Sequence, residues 1–198
     1  QNNKDGLANG FQQLGMIYLY KKDYKNAFKY LEPSYSLFAQ LGNLRNIAVA
    51  KSLLGDYYFA VGQKAKAVQY LKEAVALADK MQDKRSLAIF QSTLSGFLKE
   101  NSNYIEAEDS YKKAIDLHEK IGLNKTLPNV LVGLGQTLYQ LNKLDEAKKY
   151  FDSGLHMAKQ QNALAEQRDV YDGLAEYYIK KNDVVNALIN KQNFIKLK

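Results

Sequence analysis

The stretch LLGDYYFAVGQKAKAVQYL, residues 53–71, decides the fold because it recurs. Shifted by forty residues in either direction, it lands on related stretches without a gap. Leu14, Leu54, Leu94, Leu134 and Leu174 coincide. The next column is small (Gly15, Gly55, Ser95, Gly135, Ala175), and three positions on stand Tyr18, Tyr58, Leu98, Leu138 and Tyr178. Twelve after the small column come Ala27, Ala67, Ala107, Ala147 and Ala187, identical in every copy. Leu31, Leu71, Tyr111 and Phe151 follow, and then the small set Ser34, Ala74, Ala114 and Gly154. A fixed period of this kind marks stacked units that bury their apolar faces against one another.

Within each copy the spacing is that of a helix. Leu14, Gly15 and Tyr18 share one face, as do Ala67, Leu71 and Ala74, by the three-and-four rule. Two helical runs of roughly 16–18 residues, about 25 Å each, fit in one period. Short breakers divide them, such as Lys21-Lys22-Asp23, Val61-Gly62-Gln63 and Leu141-Asn142-Lys143. Gly62, Asn142 and Asn182 share the column where a helix ends, and both residue types tolerate the left-handed backbone needed there. Asp23, Asn103 and Asp183 hold the following column and are expected to cap the next helix. Pro128 suits the start of its helix, whereas Pro33 falls inside one and predicts a kink or a locally broken ladder. The fold class is therefore all-α: a right-handed α-solenoid of five antiparallel helical hairpins. One domain is expected over residues 1–198, with repeats at about 5–43, 44–83, 84–123, 124–163 and 164–198.

Composition agrees with a globular chain. Of 198 residues, 46% are hydrophobic and 25% charged, with no Cys or Trp, which excludes bulk disorder and a disulfide-stapled mini-fold. No apolar run approaches the ~18 residues of a membrane-spanning helix. Charge is uneven. Residues 1–99 carry 14 Lys/Arg against 7 Asp/Glu, a net of +7, while residues 100–198 carry 14 of each. A basic half attracts nucleic acid or anionic surfaces in principle, but a solvated basic face is the simpler expectation.

The residues that carry chemistry are sparse. His118 and His156 lie in different columns, with no carboxylate at metal-ligand spacing, so both are expected on helix surfaces and no metal or cofactor is expected. Gly133-Leu134-Gly135 sits inside a helical run with no strand before it, so it is no dinucleotide fingerprint. There is no P-loop, no nucleophile elbow and no nucleophile with a plausible base, so the chain does not read as an enzyme. Asn124-Lys125-Thr126 is read as a chance match to a glycosylation sequon. Most of the 15 tyrosines occupy repeat columns (Tyr18, Tyr58, Tyr178, Tyr30, Tyr70, Tyr150) and are expected to be core wedges rather than base-stacking platforms. Lys21, Lys22, Lys25, Lys29, Lys64, Lys66 and Lys72 should face outward.

The string Leu-Gly-x-x-Tyr, with Ala twelve residues after the Gly, resembles the tetratricopeptide repeat over essentially the whole chain. The period is forty against the family's 34, which resembles its long-repeat branch. The family's Trp column holds Phe11, Lys51, Gln91, Leu131 and Tyr171, and its terminal Pro is missing. The resemblance implies a concave groove lined by the first helix of each hairpin, and hence a protein or peptide partner. It places Asn9, Gln12, Met16, Asp56, Phe59, Gln136, Tyr139, Asp169, Asp172 and Glu176 in that groove, with Val49, Ile89 and Val132 forming apolar stretches between. Asp169, Asp172 and Glu176 share a helix face and would suit a basic or N-terminal group of a peptide. The basic clamp with which some members hold a chaperone's carboxyl terminus is absent, since Gln12, Ser52, Asp56, Gly96 and Asp172 stand there.

The resemblance further implies a recognition or sensory arm of a larger bacterial signalling or regulatory protein, continuing into a kinase or DNA-binding module. The compartment stays open between the cytoplasm, slightly favoured, and the periplasm, which would require a removed leader. Two other readings remain open: a basic nucleic-acid-associated module, and self-association or homodimerisation through the apolar last run, Asp183 to Lys198.

Overall fold

The structure is a computed structural model that describes residues 2–198, with side chains from Asn3 onward. The described residues form ten helices: α1 (Asn2–Tyr20), α2 (Tyr24–Leu41), α3 (Leu44–Ala60), α4 (Lys64–Lys80), α5 (Lys84–Glu100), α6 (Tyr104–Lys120), α7 (Leu127–Gln140), α8 (Leu144–Gln160), α9 (Leu164–Lys180) and α10 (Val184–Lys196). No strand occurs among the described residues. Odd and even helices alternate as the first and second members of hairpins. Two compact units result, residues 1–97 and residues 98–198, with α5 crossing the boundary.

The turns explain the periodicity. At each turn one residue takes a left-handed backbone: Lys22, Gly42, Gly62, Gln82, Ser102, Gly122, Asn142, Asn162 and Asn182, with φ between 52° and 81°. The three expected positions belong to this set, and a second series stands half a period away. The backbone closes in the same way each time. The Gly62 N–H donates to Phe59 O at 3.0 Å and the Gln63 N–H to Tyr58 O at 2.8 Å, satisfying carbonyls that the helix end leaves open. The residue that closes one helix also starts the next. Asp23 and Asp183 accept from the Asn26 and Asn186 N–H groups at 3.1 Å, as their column predicts. Their hydrogen bonds, first those from the same asparagine side chains, hold both carboxyls below the usual range. Asn103 does not cap: its amide Nδ2 donates instead to Glu106 Oε2 at 2.7 Å, a charge-assisted bond that a carboxylate in its place could not make. α2 runs through Pro33 as one helix; the missing N–H removes a rung without ending it.

The small column lets the two helices of a hairpin close. A Cβ added at Gly55 would lie 3.2 Å from the Leu71 side chain and 3.4 Å from Ala67 O. One added at Gly135 would lie 2.8 Å from the Phe151 ring. In the first unit, Ala27, Leu31, Leu54, Tyr58 and Ala67 form one core cluster, with Phe28 and Tyr57 packed on it. Leu54 thus packs on the second helix of the hairpin before its own. α1 has no such neighbour among the described residues, and Leu14, in the same column, is 39% exposed. The six tyrosines expected as wedges are also less buried than their pattern implies. Only Tyr58 is fully inside, and the others lie half-buried at the rim, Tyr18 stacked on Tyr30 with ring centroids 5.5 Å apart. In the second unit Ala107, Leu134, Leu138, Ala147, Phe151 and Val170 are fully buried. Ala107→Leu should overpack this unit and cost roughly 1–3 kcal/mol; urea unfolding measures it, and an unchanged midpoint would contradict the close packing.

His118 departs from its expected place on a helix surface. It is 1% exposed, with Nδ1 2.7 Å from Ala114 O and Nε2 3.0 Å from Thr126 Oγ1. The reason is its column: Phe38, Ala78 and Ala158, forty residues apart from one another or from it, are all buried. His156 is exposed, beside Gln160, as expected. On α10, Val184, Val185, Leu188, Ile189 and Ile195 are exposed. No described helix is long and apolar enough to cross a membrane.

Candidate partner-binding site

In the second unit the first helices carry a cleft of about 420 Å³. Lys99 and Glu100 at the end of α5, Tyr104 at the start of α6, Gln136, Tyr139 and Gln140 on α7, and Asp172, Gly173 and Glu176 on α9 line it, with the Phe151 ring from α8. Gly173 is needed for this closeness, because a Cβ there would lie 2.6 Å from the Phe151 ring. Four of the expected groove residues, Gln136, Tyr139, Asp172 and Glu176, are thereby brought together.

Two contacts set the register of the cleft. Lys99 Nζ donates to Gln136 Oε1 at 2.6 Å, and Tyr139 OH lies 3.5 Å from Glu176 O. Each joins a position on one first helix to the position 37 residues later on the next. Electrostatically the cleft holds three carboxylates, Glu100, Asp172 and Glu176, against Lys99. Lys99 is also 3.4 Å from Glu100, and Asp172 Oδ1 accepts from Lys191 of α10 at 2.8 Å. Lys180 Nζ stands 5.0 Å from the Tyr139 ring centroid at the rim. Burial, with the charge of Glu176 added, pushes the Tyr139 hydroxyl above its ordinary range. The cleft thus concentrates carboxylates, with Lys99 beside Glu100 and Lys191 on Asp172.

The other expected residues fall elsewhere. Asp169 turns away to Arg168, whose Nη2 donates to its Oδ1 at 2.7 Å, and does not line the cleft. Val132 is buried: its methyl would be 3.2 Å from a Cβ on Gly154, so this side chain faces the hairpin's own second helix. Ser52, in the same column, is buried too. Gln12, also there, has a buried side-chain oxygen with no hydrogen-bond partner. In the first unit Asn9 is half-buried and donates to Asp5 O at 2.8 Å, while Met16 is exposed. Phe59 stacks on Phe97, centroids 4.1 Å apart. Asp56 is half-buried, and burial pushes its carboxyl up to about 6. Sequence columns missed Glu108, a buried carboxylate clamped by Lys112 at 2.7 Å and Lys143 at 2.8 Å, which hold its pKa down. Among the described residues, no group of three His, Asp or Glu side chains is placed to hold a metal ion.

The family model of the tetratricopeptide repeat matches residues 7–80 and 86–160. The chain belongs to the tetratricopeptide repeat family. No curated protein sequence matches it. Among solved structures it is similar to aspartyl phosphate phosphatase F from Bacillus subtilis, at 16% identity over 98% of this chain and 60% of that one, with a TM-score of 0.77. It is also similar to a Rap protein complexed with Competence and Sporulation Factor (14% identity, 98% and 64% coverage, TM-score 0.72). A third is the signal transduction ATPase with a tetratricopeptide repeat sensor from Pyrococcus horikoshii (13%, 98% and 30%, TM-score 0.85). The chain thus spans less than two thirds of each of these proteins, and at such identities the likeness is one of fold. As a tetratricopeptide repeat it shows how the family's Trp column can be refilled. At Lys51 the ammonium lies 4.9 Å and 5.3 Å from the Tyr35 and Tyr70 ring centroids and pairs with Glu73. A cation between two rings thus occupies a place the family gives to one large aromatic.

Proposed function

We propose that this chain is a non-catalytic scaffold that binds a protein or peptide along the open face of its first helices. In this reading it serves as the recognition or sensory arm of a larger signalling or regulatory protein. The observation that carries the proposal is the acidic cleft between α7 and α9, whose carboxylates Glu100, Asp172 and Glu176 stand outside the repeat's fixed columns. Membership of a repeat family that presents such faces supports it. The sensory role draws on similarity to a repeat sensor within a signal transduction ATPase and to a Rap protein complexed with a factor.

The test is selection of peptides from a random displayed library on the full chain, followed by affinity measurement on a double variant, Asp172→Lys with Glu176→Lys. Peptides that fill the cleft should lose at least tenfold in affinity. Thermal stability should barely change, because exposed ion pairs such as Asp172–Lys191 contribute about 0–1 kcal/mol. Selected peptides that bind the double variant equally well would remove the cleft from the reading.

A further inference from the structure

We propose that Asp56 anchors a second contact on the open face of the first unit, and that it takes a lysine or arginine side chain flanked by apolar or aromatic residues. This rests on the scaffold reading and names the chemistry of the partner. The argument begins with the 37-residue register of the cleft, in which Lys99 meets Gln136 and Tyr139 meets Glu176. Carried into the first unit, that register sets Leu19 of α1 against Asp56 of α3, and Phe59 against Gly96 of α5. Phe59 stacks on Phe97, the residue beside Gly96, which agrees with this placement. Where the second unit offers an ammonium or a hydroxyl, the first offers the methyl groups of Leu19. Asp56 therefore stands one helical turn from an aromatic pair, on a face that also exposes Met16, with an apolar side chain opposite.

Its titration supports the same picture. Burial alone raises the carboxyl, and no charged neighbour contributes. Leu19 on α1 and Gly96 and Phe97 on α5 carry no charge. Lys51 of α3 is paired with Glu73, and Lys66 of α4 lies over the Tyr58 ring at 4.0 Å. A half-buried carboxylate without a cation is costly to the fold. Since the folded carboxyl holds its proton more tightly than the unfolded one, Asp56 favours folding at low pH and opposes it at neutral pH. A residue that weakens the fold on a binding face is the usual mark of a stability–function trade-off. Any ligand cation would meet a desolvated acceptor beside the Phe59 ring, the surroundings in which both an ion pair and a cation–π contact are strengthened.

The experiment uses the full chain, with carbon-detected NMR of the Asp carboxyls at pH 7.5. The probe is 1-butylguanidinium chloride, against sodium chloride at equal ionic strength, and Asp56→Asn assigns the resonance. The expected result is a saturable shift of the Asp56 carboxyl and of the Met16 methyl with the probe alone, the methyl response falling at least tenfold in Asp56→Asn. That variant should stay folded, with a thermal midpoint several degrees higher at pH 7.5 and a smaller gain at pH 5. A carboxyl that responds no more to butylguanidinium than to sodium overturns the proposal, as does a Met16 response that survives Asp56→Asn. Either failure leaves the peptide selections on the acidic cleft standing. Conversely, loss of those selections leaves this titration to be read by itself.

Discussion

Phe151→Ala is expected to lower the unfolding free energy by about 3–5 kcal/mol, the largest single loss in the second unit. The ring is fully buried and meets two glycines, Gly135 on its own hairpin partner α7 and Gly173 on α9. A built Cβ would lie 2.8 Å from the ring at the first and 2.6 Å at the second. Phe151 therefore fills a slot that two side-chain-free backbones leave open. When the ring is removed, neither glycine has an atom to move into the space, and the cavity stays. Cavities that cannot collapse lie at the high end of the range for large-to-small changes, because the lost contacts are not regained elsewhere. Phe151→Leu keeps most of the volume and should cost less than about 1.5 kcal/mol. Guanidinium unfolding of both variants checks the pair. A loss below about 1.5 kcal/mol for the alanine would show that α7 and α9 close over the gap, and the slot argument would fail. The ring also lines the cleft, so selected peptides should bind Phe151→Ala more weakly even where it remains folded.

The repeating part of this molecule was legible in the sequence because its cause is repeated. Identical columns at forty-residue spacing mean identical neighbours, and hairpin, small column and left-handed turn all follow from that. His118 is equally legible from its column, which holds Phe38, Ala78 and Ala158 and is interior whatever stands there, although its residue type alone points to the surface. The binding face was only half legible, because a column states which way a side chain points and not what lies across from it. Asp169 and Asp172 are three residues apart on one helix. Yet Arg168 takes the first and Lys191, from α10, takes the second. Val132 shares a column with Asp172, but its branched apolar side chain packs towards Gly154 while the carboxylate borders the cleft. The contributions of Tyr104 and Phe151 to the cleft come from second helices, outside every groove column. The 37-residue register between first helices is a product of packing, and no single repeat encodes it.

The turns carry an expected effect of the opposite sign. Lys22, Gln82 and Ser102 hold φ of 58°, 55° and 59°, in a region that costs residues with a Cβ roughly 1–2 kcal/mol each. Glycine removes that cost and gives back about 0.5–1 kcal/mol through its freer unfolded chain. Each replacement by glycine should therefore stabilise by about 0.5–1 kcal/mol, and the triple Lys22→Gly, Gln82→Gly, Ser102→Gly by ~2 kcal/mol, since distant turns add. The hydrogen bonds that close these turns are unaffected, because they are backbone to backbone: Lys22 N–H to Leu19 O at 2.9 Å, Gln82 to Asp79 at 2.9 Å and Ser102 to Lys99 at 2.9 Å. All three side chains are exposed, so little packing is lost. Asn142, Asn162 and Asn182 should gain less from the same change, because asparagine tolerates the left-handed region better. The mirror experiment is Gly62→Ala, where φ is 81°, and it should destabilise by about 1 kcal/mol. Thermal melts of the triple and the single variants decide the matter. A triple that melts no higher than the parent would show that Lys22, Gln82 and Ser102 hold their turns by side-chain contacts and not against backbone strain.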